Sequence, residues 1–119
     1  MYVAARGWLE VDHEQRAAAE AVVASARHDM YSGGWCFPAR PFNWSLCVFY
    51  GGDIREESVS WLREQVEQLA RLTAVDADGD LPVGFFVLTD EWGTVVAWEI
   101  RDGAVHEREA PELRWVHRD

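Results

Sequence analysis

The chain has 119 residues, 49% of them hydrophobic and 13% aromatic, which is apolar surface enough to offset chain entropy without disulfides or metal. It carries 21 acidic residues against 11 basic ones, all arginine, for a net charge of −10; that field excludes direct nucleic-acid binding, because phosphate recognition needs clustered positive charge. No apolar run approaches the roughly 20 residues of a membrane span, and the segment from Met1 to Trp8 lacks the basic and apolar regions of an export signal, so a cytoplasmic location with Cys36 and Cys47 reduced is expected.

Tyr2 to Glu10 alternates loosely and reads as a first strand. Asp12 and Gln15 stand at capping-box spacing, and open a helix from about His13 to His28. That helix is rich in alanine (Ala17, Ala18, Ala21, Ala24 and Ala26 with Val22), which predicts close packing against a sheet. The stretch Met30-Tyr31-Ser32-Gly33-Gly34 breaks it. Trp35 to Ala39 and Trp44 to Tyr50 read as an edge arm and a central strand, the two prolines Pro38 and Pro41 keeping the first arm irregular. A turn centred between Pro41 and Phe42 would set Cys36 opposite Cys47.

Gly51-Gly52-Asp53 is expected to end that strand, with Asp53 and Glu56 as a second capping box. The helix that follows has the stripe Val59, Leu62, Val66, Leu69. Trp61 falls about a third of a turn off it. Val75 to Pro82 is an acidic turn. Val83 to Leu88 is a buried-type strand, and Asp90-Glu91-Trp92-Gly93 turns it into a strand from Thr94 to Arg101. Asp102-Gly103 is a hairpin signal leading to a last strand, Ala104 to Glu107, and Pro111 opens a polar tail holding Leu113, Trp115 and Val116. The order β-α-β-β-α-β-β-β predicts one α+β domain over residues 1–119, a mostly antiparallel sheet with two helices packed on one face.

No catalytic or metal pattern emerges. Counted from Asp76, the sixth and twelfth positions of a calcium loop hold Leu81 and Val87 instead of glycine and glutamate, so the acidic stretch to Asp80 reads as a turn. His13, His28, His106 and His117 lack ligand spacing. Cys36 and Cys47 lie among apolar neighbours and read as buried small hydrophobes; pairing of either with His106 as nucleophile and base has no particular support. Phosphate-loop, dinucleotide and serine-hydrolase fingerprints are missing, and no cofactor is expected.

The seven tryptophans are more informative. A core of this size holds about three or four such rings, and surplus aromatics suit a binding surface. Asp90, Glu91 and Trp92, with Trp98, Glu99 and Asp102 nearby, suggest a carboxylate-rimmed aromatic patch for a partner's arginine or lysine. The candidate binding residues are Trp35, Trp61, Asp90, Glu91 and Trp92, with the acidic residues of the 76–80 turn as a steering rim.

Tyr31-Ser32-Gly33-Gly34-Trp35, Asn43-Trp44, Phe49-Tyr50-Gly51-Gly52-Asp53 and Trp98-Glu99-Ile100-Arg101-Asp102-Gly103 give the chain a style that resembles the small acidic immunity proteins of bacterial polymorphic toxin systems. The resemblance implies an α+β domain that blocks a toxin by direct binding, and hence a protein partner, a basic toxin domain. Two other readings stand beside it. One is a small-molecule-binding domain or enzyme with a pocket between sheet and helices lined by Trp35, Trp44 and Trp98. The other is a homodimer formed through an edge strand or the tail carrying Trp115.

Overall fold

The computed structural model describes residues 1–40 and 43–117. It contains six strands, β1 (Tyr2–Asp12), β2 (Trp35–Cys36), β3 (Ser45–Arg55), β4 (Val83–Asp90), β5 (Val95–Arg101) and β6 (Ala104–Glu109), and two helices, α1 (Arg16–Ser25) and α2 (Val59–Ala70). The strands form one antiparallel sheet in the order β2-β3-β1-β4-β5-β6. The fold is α+β, as the pattern of elements predicts.

Period-two alternation assigns the two faces of the sheet. Val3, Ala5, Leu9 and Val11 of β1 turn inward, with Leu46, Val48, Tyr50 and Ile54 of β3 and Phe86 and Leu88 of β4. Helix α2 covers them with Leu62, Val66 and Leu69, while Ala19 is the buried residue of α1. The other alanines of α1 therefore do not form a sheet-packing face; the helix lies beside α2 and leaves them in solvent. Buried Gln65 joins the helices to the sheet edge. It accepts from the Trp35 indole at 2.9 Å and donates to the carbonyls of Val23 and Ala26 at 3.2 and 3.1 Å.

Asp12 and Gln15 form the expected reciprocal capping box. The one expected at Asp53 and Glu56 does not form. Strand β3 runs on through Gly51-Gly52-Asp53 to Arg55, and a single 3-10 turn (Glu56–Ser58) leads into α2 without a side-chain cap. Strand β1 is just as long and pairs with β3 at every position from Tyr2↔Arg55 to Asp12↔Ser45, so cross-strand bonding overrides the local preference of two glycines. The cysteines also need correction. Cys36 lies opposite Phe49, and Cys47 lies opposite Glu10 on β1. The expected turn at Pro41 and Phe42 lies outside the described residues, but Asn43 holds φ of 59°, which asparagine tolerates, and the observed pairs centre the reversal one residue later in the chain. Both cysteines are free, Cys36 exposed and Cys47 half-buried.

Two departures lie on the face away from the helices. The tail folds into a 3-10 helix (Pro111–Val116), which tucks Leu113 and Val116 against Val87, Val95, Ala97 and Ala110. It covers that face of β4 and β5 only. Over β1 and β3 the corresponding positions, Arg6, Trp8, Phe49, Gly51 and Asp53, are exposed. Among the described residues, no helix is long and apolar enough to cross a membrane.

Candidate functional site

The tryptophans divide between the two faces. Trp98 is buried on the helical side and donates its indole N–H to Glu107 Oε1 at 2.9 Å. Trp35 and Trp61, both singled out from the sequence, are half-buried there as well. Trp35 packs edge-on against Tyr50 and Phe86 and bonds Gln65; Trp61 packs against His28 and Tyr50 and donates to the Ala26 carbonyl at 2.7 Å. Their polar edges are committed to holding the helices down. The other four are exposed: Trp8 at 38%, Trp44 at 69%, Trp115 at 78% and Trp92 at 81%. Of the three rings expected to line a pocket between sheet and helices, Trp98 is buried in the core, Trp35 packs half-buried against it and Trp44 is exposed.

On the open face, strand register assembles a row that no local sequence motif announces. Trp8 of β1 lies opposite Phe49 of β3 on one side and Phe85 of β4 on the other, at the separation where cross-strand aromatics interact. Phe49 is 45% exposed. These rings floor a groove of about 620 Å³ that also includes Arg6, Asp53 and Val87. Close backbone approach beneath them depends on two glycines. A side chain at Gly7 would overlap the Phe86 ring, and one at Gly84 would overlap the Trp8 carbonyl and Leu9.

The face ends differently at its two poles. At one pole is the β4–β5 turn with Asp90, Glu91 and Trp92. Asp90 Oδ1 accepts from the backbone N–H groups of Trp92 and Thr94 at 2.8 and 3.0 Å, and Glu91 Oε1 accepts from the Tyr2 N–H at 2.7 Å. The Arg114 guanidinium lies over Gly93, which brings the segment bearing Trp115 up to the turn bearing Trp92. A recess of about 550 Å³ beside them is lined by Tyr2, Asp53, Thr89 and His117 among others, and His117 Nδ1 is buried there with no hydrogen-bond partner among the described residues. The wider patch expected here does not assemble: Trp98 is buried on the helical side, Glu99 lies further along β5, and Asp102 is in the β5–β6 turn at the far end of that strand.

At the opposite pole a cleft of about 260 Å³ is lined by Glu10, Asp12, Trp44, Asp76, Asp80, Leu81 and Val83, among others. This is where a carboxylate-rimmed aromatic site occurs. Asp12 and Asp76 each commit one oxygen to a local backbone N–H, of Glu14 and of Asp80. The seven ion pairs among the described residues engage Arg16, Arg63, Arg101 and Arg108, and none includes these carboxylates. The charge of Asp76, aided by partial desolvation, a hydrogen bond to Asp76 and the charge of Asp78, pushes the Asp80 carboxyl up from its ordinary value. Negative charge is thus crowded at this pole and in no ion pair among the described residues, with Arg40 lining the adjoining recess beside Glu10 and Trp44.

Nucleophilic chemistry is poorly served. Burial, and then the charge of Glu10, pushes the Cys47 thiol up from its ordinary value, which keeps it protonated. His106 is on β6, at the edge of the sheet opposite β2 and Cys36, so the cysteine–histidine pairing weighed from the sequence is not assembled. What the open face offers is flat aromatic area flanked by carboxylates. Sequence reasoning passed over Trp8, Phe49 and Phe85, although Trp8 and Phe49 are aromatics standing on the polar phase of alternating strands, which is the signal that marks them.

Neither a protein-family model, nor a curated protein, nor a solved structure matches the chain.

Proposed function

We propose that this chain is a protein-binding module of the immunity type, which neutralises a basic toxin domain by binding it directly. The observation that carries this reading is the exposure of four tryptophans, Trp8, Trp44, Trp92 and Trp115, on a chain of net charge −10. Exposed tryptophan costs solubility and is concentrated at interface hot spots. A negative field speeds encounter with a basic protein and repels nucleic acid. The filled helical side, with Trp35 and Trp98 packed into the core, gives no support to a small ligand held between sheet and helices.

The test is affinity capture from native lysate at low and moderate salt, followed by co-expression of the captured chain with and without this protein. The expected outcome is one stoichiometric, basic partner, released at high salt, whose toxicity is relieved by co-expression. A folded bait that retains no basic protein would overturn the reading.

A further inference from the structure

We infer that the open sheet face docks an amphipathic, cationic segment of the partner protein, its apolar side chains seated on Trp8, Phe49 and Phe85 and one arginine or lysine entering the cleft of Glu10, Asp12, Asp76 and Asp80 beside Trp44. This rests on the reading of the chain as a protein-binding module and says where and how it binds.

Three observations converge. The aromatic row lies at the middle of a face about 36 Å long, taken from the eleven residues of β1 at roughly 3.3 Å each; Trp8 and Phe49 are exposed, and Phe85 borders the cluster that the C-terminal 3-10 helix covers. The row and the cleft are continuous, since Trp8 and Glu10 are successive outward residues of β1, and Glu10 lies opposite Val83. The charges also differ between the poles. Toward β5 and β6, Arg101 and Arg108 neutralise Glu99 and Glu112, and at the β4–β5 turn Asp90 and Glu91 are engaged by backbone N–H groups. At the Trp44 pole four carboxylates, Glu10, Asp12, Asp76 and Asp80, gather beside an exposed indole and none is in an ion pair among the described residues; the β4–β5 turn has only two, Asp90 and Glu91, with the Arg114 guanidinium close by at Gly93. Four carboxylates set around the cleft suit a cation with several donors, which can also lie against the Trp44 ring.

The same charges argue against the other occupants. A second copy docked face to face would set two sets of uncompensated carboxylates against each other, and a nucleic acid would bring phosphate to them. Arg6 is exposed within the groove and Arg40 lines the recess beside Glu10 and Trp44, and both disfavour a segment that is basic along its whole length. The fitting segment is apolar over the row and cationic at the Trp44 end.

The test uses the seven indole N–H signals of the 15N-labelled full chain. The probe is a synthetic twelve-residue peptide with alternating leucines followed by a terminal pair of arginines, compared with its glutamate counterpart. The arginine peptide should shift the Trp8 and Trp44 signals and leave Trp35, Trp61 and Trp98 in place, while the glutamate peptide shifts none. Trp8→Ala with Glu10→Gln should weaken peptide binding about tenfold or more. The control Glu56→Gln with Glu57→Gln, on the turn before α2, should change it less than about twofold. Should the first pair disturb folding, Glu10→Gln with Asp80→Asn is the replacement. Shifts confined to other tryptophans, equal weakening by both pairs, or concentration-dependent Trp8 shifts with dimer formation in the absence of peptide would each overturn the assignment. A captured native partner that binds the Trp8–Glu10 variant unchanged would overturn this site while leaving the protein-binding reading intact; absence of any captured partner strikes that reading instead.

Discussion

Gln65 is a polar side chain placed where a leucine would ordinarily sit, on the buried stripe of α2 between Leu62 and Leu69. Its amide satisfies the Trp35 indole and the Val23 carbonyl, while the Ala26 carbonyl has a second donor in Trp61. Gln65→Leu should therefore cost about 2–4 kcal/mol, because two buried groups lose their partner; chemical denaturation measures it, and a loss under about 1 kcal/mol would show that water replaces the amide. Tyr50 is a second such residue. Burial, then the neighbouring Tyr31, pushes its hydroxyl up from 10.0 to about 12, and the hydroxyl donates to the Tyr31 carbonyl at 2.8 Å. A raised folded value means that this contribution is fully present below pH 10.0 and is lost as pH rises toward about 12. Tyr50→Phe should remove that alkaline slope and cost about 1 kcal/mol at neutral pH, both readable from unfolding curves at a series of pH values. Neither role is visible in the sequence, where Gln65 reads as a polar interruption and Tyr50 as one more strand aromatic. Partners 30 and 19 residues away decide them.

At the scale of elements, periodicity was the legible signal and pairing was not. The stripe of α2, the Asp12 capping box and the Asp102-Gly103 hairpin, with φ of 54° and 74°, all follow from local chemistry. The continuation of β3 through two glycines and the folding of the tail depend on what lies alongside. The tail's 3-10 helix is held by Arg108, which bonds Glu112 at 2.6 Å and Glu99 at 3.1 Å. Hydrogen bonding to Arg108 is the chief cause that holds both carboxyls below their ordinary 4.5. Depressed folded values mean that the tether is complete above about pH 4.5 and is lost as pH falls through the folded values. Arg108→Ala should raise both carboxyls toward the ordinary range in a side-chain NMR titration, Glu99 less completely because Arg101 still bonds it, and speed amide exchange in residues 111–116 at neutral pH. Exchange left unchanged would mean that Leu113 and Val116 hold the element by packing alone.

For the whole molecule, the fold class was legible because alternation and helical period are written locally. The open face was not, because Trp8, Phe49 and Phe85 become neighbours only through register between strands about 40 and 80 residues apart. The charge has a global consequence that can be measured. Removing three charges at one pole, by Glu10→Gln, Asp76→Asn and Asp80→Asn together, should slow association with a basic partner several-fold at low salt and hardly at all at high salt. Because Asp80 takes up its proton more readily than an ordinary aspartate, the wild-type on-rate should begin to fall at a higher pH on acidification than ordinary carboxylates would give. Stopped-flow mixing at two ionic strengths and several pH values reads both effects.

The position of β1 also constrains how the chain is made. Of the six strands of this sheet β1 is synthesised before the others, and it is a central one, flanked by β3 and by β4, with Val3 paired to Asp90. At about 5–20 residues per second, several seconds separate synthesis of β1 from arrival of its second neighbour. Through that interval one of its backbone edges has no mate and its apolar side has half a cover. Nascent chains stalled before residue 83 should therefore engage holding chaperones, and chains extended by a fusion long enough for residue 109 to clear the exit tunnel should release them.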